Sequence, residues 1–230
     1  MPILPTSFVI PPPAELPPWG ELPIAECGEP LVTLLESPQL RLKPAYLELG
    51  LAGASAAMQL RSGAAQRLEQ ALTLLPTTLG VLVLDVFRPL KVQQALWEWQ
   101  WQEVKRDNPN FTNTQIHQTV RQFVAEPSAD PAKPTPHRTG GAVDLTLFAL
   151  ATGEPLPMGT EFDEATDTAQ SDWFERFPQE PVTTNRRLLY HAMTSAGFVN
   201  YPSEWWHFEF GTRRWAESQG TKIARYGCAE

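Results

Sequence analysis

HRTGGAVDLTLF, residues 137–148, sets a histidine in a loop, two glycines after it, and then an apolar strand with an aspartate inside it. Gly140 and Gly141 let the chain turn sharply between His137 and Asp144, because glycine has no Cβ to restrict the backbone. In a strand over 142–148, Ala142, Asp144, Thr146 and Phe148 share one face, and Val143, Leu145 and Leu147 share the other. An unpaired carboxylate is costly to bury in so apolar a strand. A metal cation or an arginine would compensate it.

Toward the N terminus, GVLVLDVF, 80–87, reads as a buried strand that ends at Arg88–Pro89. Pro89 then opens a helix, PLKVQQALWEWQWQEVKRD, on which Trp97 and Trp101 share a face and Trp99 does not. That face packs on the sheet or on a neighbouring helix. Before the strand, residues 55–75 carry a helical stripe of Met58, Ala65, Leu68, Leu72 and Leu75, stopped by Pro76. Toward the C terminus come a helix over 114–126, the loop 127–136 that delivers His137, and a turn-rich excursion from Pro155 to Gln170. A helix over 185–198 and a strand over 205–211 follow. Helices around a few strands predict an α+β fold in a single domain, with a central, mostly antiparallel sheet flanked by helices. No glycine pattern for a dinucleotide or a nucleotide phosphate is present.

Residues 1–24 form a proline-rich arm, with Pro11–Pro13 and Pro17–Pro18 favouring extended chain laid on the domain surface. The remaining residues, 25–230, make the main domain. The chain has 230 residues and a formal net charge of −8, with no run of lysine or arginine, which argues against nucleic acid or an anionic membrane as the partner. The N terminus lacks a basic segment followed by an unbroken apolar run, and no 18-residue apolar stretch spans a bilayer. These features predict a cytoplasmic protein. Cys27 and Cys228 have no metal-ligand spacing, and a core of this size needs no disulfide between them.

The second informative stretch is SEWWHFEF, 203–210. The chain has four histidines, and two of them, His137 and His207, fall in these two segments. His137, Asp144 and His207 offer nitrogen and oxygen ligands for one divalent metal. Glu204, three residues before His207, is placed to take a proton from water at that metal, and Glu209 is the alternative base. The bland reading makes His207 a core histidine beside two tryptophans. His117 and His191 lie in helices and read as structural, and the HExxH pattern is absent.

HRTGGAVDLTL and EWWHFEF resemble the D-alanyl-D-alanine dipeptidases, the VanX-type zinc enzymes. The wider group includes D,D- and L,D-carboxypeptidases and the metal-binding domain of Hedgehog proteins. LDVFRP at 84–89, PMGTEFD at 157–163 and NRRLLYHAMTSAGF at 185–198 are similar to the dipeptidase branch. The resemblance implies one zinc ion per chain on His137, Asp144 and His207, with Glu204 as catalytic base. It implies that Arg88 steadies charge on the tetrahedral intermediate and that Asp163 meets the free ammonium of a small D,D-dipeptide. Thr135 stands where the family commonly has a serine that helps orient substrate. Read without the resemblance, Arg88 is a strand exit with a surface salt bridge, and Asp163 is a turn residue in an acidic loop. A carboxypeptidase acting on peptidoglycan stem peptides is the alternative enzyme. A metal-stabilised binding module is the alternative outside enzymes, and it would have no need of Glu204 and Arg88.

Overall fold

Strand pairing between segments far apart in sequence sets the frame. The structure, a computed structural model, describes residues 8–13, 22–164 and 166–229. In chain order the strands are β1 (Leu31–Thr33), β2 (Leu40–Leu42), β3 (Gln59–Arg61), β4 (Leu79–Asp85), β5 (Ala142–Ala149), β6 (Val199–Asn200) and β7 (His207–Glu209). The helices are α1 (Ala45–Glu48), α2 (Ser62–Leu74), α3 (Leu90–Asp107), α4 (Asn113–Val120), α5 (Trp173–Arg176), α6 (Val182–Ser195) and α7 (Arg213–Ser218). The main sheet has the order β2-β4-β5-β7-β6, and β1 and β3 form a separate pair. In this sheet, among the described residues, β2–β4 is parallel, and β4–β5, β5–β7 and β6–β7 are antiparallel. This is the α+β architecture with a mostly antiparallel sheet that the sequence predicts.

β5 lies at the centre of this sheet, and its first seven residues are buried. Val143, Leu145 and Leu147 enter the main core with Leu68 of α2 and Leu189 and Met193 of α6. Alternation along the strand then turns Asp144 and Thr146 to the opposite face, away from those helices. A second core joins α3 and α4 through Val92, Leu96, Val104, Ile116 and Val120, with Tyr46 of α1. Trp97 and Trp101 meet the His117 ring edge-on at 5.4 and 6.4 Å, which places their shared face against α4.

Several boundaries differ from the sequence reading. The helix expected from residue 55 begins at Ser62, because Gln59–Arg61 pairs with Leu31–Thr33 as β3. Met58 is buried just before that strand and not on a helix stripe. Tertiary pairing outweighs helix propensity in so short a run. The helix expected over 114–126 stops at Val120; its start is fixed by a capping box between Thr112 and Gln115. α6 spans 182–195 and not 185–198. The last strand is limited to His207–Glu209, with Trp205 and Trp206 in the turn before it.

At the N terminus, Pro17–Pro18 lies outside the described residues. Ile10 is buried, its amide donates to Glu175 Oε1 at 2.9 Å, and the Phe8 carbonyl lies 2.8 Å from His191 Nε2. Cys27 and Cys228 are free thiols. Among the described residues no helix is long and apolar enough to cross a membrane.

Candidate metal centre and cleft

Three strands bring the acidic and imidazole groups into one row. Asp85 of β4 lies opposite Asp144 of β5, and Asp144 lies opposite His207 of β7. β4 reaches this register through an irregularity between Val83 and Asp85, where one extra residue re-aims the strand end. His137 arrives from a single 3-10 turn, His137–Thr139, closed by Gly140 at φ 71°. Gly141 permits the next close approach: a Cβ there would stand 2.3 Å from the Phe210 carbonyl oxygen. The two glycines therefore carry the chain from the His137 turn into β5 as the sequence predicts.

The three candidate ligands converge. His137 Nε2 is 3.2 Å from His207 Nδ1, His207 Nδ1 is 2.8 Å from Asp144 Oδ1, and His137 Nε2 is 3.3 Å from Asp144 Oδ2. Nitrogen and oxygen ligands at ordinary zinc bond lengths stand about 3.3 Å apart in a tetrahedral site, so this triangle has the size of a zinc site. Outer hydrogen bonds orient both rings. His137 Nδ1 lies 2.8 Å from the Val86 carbonyl and 3.1 Å from Asp85 Oδ2, and His207 Nε2 lies 3.1 Å from Glu209 Oε1. Those acceptors suit a proton on the outer nitrogen of each ring, which leaves the inner nitrogen of each available to a cation on the Asp144 side. Burial opposes the charge on Asp144, but His137 and His207 outweigh it and hold the carboxyl well below its ordinary range. A site this rich in carboxylates welcomes a cation.

Glu204 stands beside the triangle, with Oε2 at 3.8 Å from His207 Nδ1. Its backbone is held in a tight turn, the amide donating to the Tyr201 carbonyl, and its own carbonyl accepts from Asn200 Nδ2 at 3.1 Å. Burial pushes its carboxyl up to about 8, with His207 and Arg88 opposing that rise and Asp144 and Asp163 reinforcing it. A divalent cation on the neighbouring ligands pulls the value back toward the ionised form.

Arg88 is buried, which removes the surface salt-bridge reading. Its Nε and Nη2 donate to Asp85 Oδ2 at 2.9 and 2.6 Å, its Nη1 to Gln93 Oε1 at 2.9 Å, and its Nη2 to the Tyr46 hydroxyl at 3.2 Å. The guanidinium lies 3.8 Å from Asp144 Oδ2. Tyr46 also donates to Asp163 Oδ2 at 2.8 Å, so one hydroxyl links Arg88 to Asp163. Asp163 adopts φ 59°, a left-handed conformation that few non-glycine residues hold. Burial of the carboxyl group and repulsion from Asp144 raise it to about 7. Because the residue as a whole is exposed, water in the cleft tempers that shift.

Apart from Asp85, these groups line one cleft of about 470 Å³, which also takes in Thr135, Trp206 and Arg214. The Thr135 hydroxyl and the Trp206 indole N–H are both buried without a hydrogen-bond partner. Seven positions named from sequence (Arg88, Thr135, His137, Asp144, Asp163, Glu204 and His207) therefore meet in one place. Glu209 is fully engaged: besides His207 it accepts from Arg214 Nε at 3.0 Å and from Thr212 Oγ1 at 2.5 Å. Burial would raise its carboxyl, but His207, Arg214 and Thr212 bring it down to about 2. It stands on the far side of the His207 ring from Glu204, in the place of a ring partner and not of a base. The sequence reading missed Tyr46, Asp85 and Gln93. Asp85 carried a signal, a carboxylate closing an apolar strand; Tyr46, 42 residues from Arg88, carried none.

Comparison with known proteins places this geometry. A family model described as D-ala-D-ala dipeptidase matches residues 51–221, a span that contains all seven positions. The chain is 36% identical over 244 residues to a D-alanyl-D-alanine dipeptidase of Synechocystis sp., covering 94% of this chain and 98% of that protein. It is 31% identical over 134 residues to a D-alanyl-D-alanine dipeptidase of Enterococcus faecium, covering 56% of this chain and 61% of that one. Among solved structures, a vancomycin-resistance D,D-pentapeptidase, VanY, in complex with Zn(II) gives a TM-score of 0.45 at 17% identity over 74% of this chain and 85% of that one.

Proposed function

Because this chain belongs to the D-Ala-D-Ala dipeptidase family, we propose that it hydrolyses the dipeptide D-alanyl-D-alanine to two D-alanines with one zinc ion per chain. The observation that carries this reading is the triangle of His137, Asp144 and His207, with Glu204 and Arg88 beside it in the same cleft. Zinc held by those three residues supplies a Lewis acid that makes water acidic and polarises a carbonyl. Glu204 accepts the proton of the attacking water and delivers it to the leaving amine. Arg88 sets a fixed positive charge near the oxygen on which negative charge develops. Its bonds to Asp85, Gln93 and Tyr46 hold it there in advance, so little reorganisation is needed during the reaction.

Asp163 pairs with the free ammonium of the substrate. The Tyr46 bridge fixes its distance from Arg88, and so fixes how far the ammonium stands from the scissile carbonyl. Thr135 offers its unpartnered hydroxyl to the peptide. We assign residues 25–230 to the catalytic domain, working in the cytoplasm, and residues 1–24 to a separate N-terminal segment, of which Phe8 and Ile10 meet α6 and α5. A carboxypeptidase on longer stem peptides is the less supported reading, because an ammonium-binding carboxylate at the cleft favours a short substrate with a free amine.

Purified protein is expected to hold about one zinc per chain by elemental analysis, and His207→Ala to lose most of it. Full occupancy in that variant removes His207 from the ligand set. Free D-Ala-D-Ala should be cleaved, and its N-acetyl derivative should be rejected, because the derivative has no ammonium for Asp163 and leaves that carboxylate with only the Tyr46 hydroxyl. Asp163→Asn should then reduce kcat/KM on the free dipeptide by about 10–100-fold, the worth of a hydrogen-bonded charge pair of roughly 1.5–3 kcal/mol. Any residual activity on the blocked dipeptide should change little. Equal losses on both substrates would make Asp163 a loop-structuring residue. Efficient cleavage of the acetylated dipeptide by the unaltered protein would move the function to carboxypeptidase.

A further inference from the structure

We infer that Glu209 is a positioning residue: it fixes which ring nitrogen of His207 faces His137 and Asp144, and Thr212 and Arg214 hold it in place for that task. The inference rests on the zinc reading above and concerns how the site keeps its third ligand available. His207 lies between two carboxylates. Its Nδ1 is 2.8 Å from Asp144 Oδ1, and its Nε2 is 3.1 Å from Glu209 Oε1. A neutral imidazole carries a single N–H, so the two carboxylates compete for it. If the proton sits on Nδ1, it bonds to Asp144 and the inner lone pair is lost to a metal. If it sits on Nε2, Nδ1 is free. Glu209 is what favours the second arrangement.

The placement follows from the strand. Residues two apart on β7 point the same way, so His207 and Glu209 rise from one face. Glu209 is 2% exposed, and a buried carboxylate persists only where donors surround it. Arg214 Nε at 3.0 Å and Thr212 Oγ1 at 2.5 Å supply two of them from the turn and helix after the strand, and the His207 N–H supplies the third. Arg214 also lies over the Tyr201 ring at 4.3 Å, and that ring meets His207 with centroids 5.9 Å apart. The carboxylate is therefore pinned on both oxygens before it meets the imidazole. His137 Nδ1 has two outer neighbours, the Val86 carbonyl at 2.8 Å and Asp85 Oδ2 at 3.1 Å, and Arg88 balances that carboxylate as Arg214 balances Glu209.

Zinc titration against a chromophoric chelator, together with long-range proton–nitrogen NMR spectra of histidine-labelled metal-free protein, tests the inference. Glu209→Gln keeps the side-chain volume and one acceptor oxygen. It should weaken zinc about 10-fold, and Glu209→Ala about 100-fold, the range found when such outer partners are removed. In metal-free spectra recorded at a pH high enough to leave the ring neutral, the Nε2–H form of His207 should be depleted in the alanine variant. A residue that only supported the strand would not shift that equilibrium in a protein whose near-ultraviolet circular dichroism is unchanged. Folded variants that bind zinc within twofold of the unaltered protein, with His207 in an unchanged tautomer, overturn the inference. If the alanine variant does not fold, the glutamine variant decides. Failure of the unaltered protein to take up zinc overturns the functional reading instead, so the two failures are told apart.

Discussion

Glu204→Gln is expected to keep its zinc and lose turnover of D-Ala-D-Ala by about 10²–10⁴-fold, the usual worth of a positioned general acid–base. The glutamine amide fills the same space at the cleft, but it cannot take a proton from water near neutral pH. Zinc should be retained because the ligand triangle is closed by His137, Asp144 and His207 without Glu204, whose Oε2 stands 3.8 Å from His207 Nδ1. Parallel measurement of kcat and zinc content separates loss of the base from loss of the metal. Near-native turnover in zinc-loaded variant protein would sink the assignment. Glu209 would be a poor substitute, since both its oxygens are already engaged on the far side of the histidine ring.

Arg88→Ala is expected to lower kcat by about 10²–10³-fold, roughly 3–4 kcal/mol, the cost of losing an oxyanion donor. The loss should fall on kcat more than on KM if the charge acts chiefly in the transition state. Arg88→Lys should restore only part of it. A lysine keeps the charge, but its single ammonium cannot reproduce the planar fork that meets Asp85, Gln93 and Tyr46 together. Steady-state kinetics on both variants check this. A raised KM with an unchanged kcat would make Arg88 an anchor for the substrate carboxylate. The alanine variant also leaves the buried Asp85 without its cation, so a lower thermal midpoint should accompany the kinetic loss.

How much of this was legible in the sequence depended on where the information lay. The β5 strand and its aspartate were readable because alternation and two adjacent glycines are local signals. The helix from Pro89 was readable for the same reason. β3 was not, because Gln59–Arg61 has no local mark of a strand; it becomes one by pairing with Leu31–Thr33. The seven cleft positions could be named from two short motifs and a family resemblance. The groups that hold them could not. Tyr46 and Gln93 reach Arg88 through tertiary contacts, and nothing near either residue in sequence announces a polar role. Glu209 was visible as a carboxylate two residues from a histidine, but its side of the ring was not, and that side decides between base and ring partner. The expected helix stripe at Met58 misled because a buried methionine fits a strand edge as well as a helix face.

The row formed by Asp85, Asp144 and His207 has a consequence for how the fold is held shut. Asp144 and His207 are 63 residues apart in sequence, and His137 and His207 are 70 apart. An ion bridging them acts as a reversible cross-link between the two halves of the sheet, closing loops long enough to carry a large entropic penalty in the unfolded chain. Small proteins often assign that duty to a disulfide. Here both cysteines are free, and the bridge sits at the middle of the sheet, at the site proposed for the chemistry. On this reading, whatever strips the cation from the cleft would remove the fastener along with the catalyst, so inactivation by a chelator and loosening of the β5–β7 pair would be one event seen from two sides.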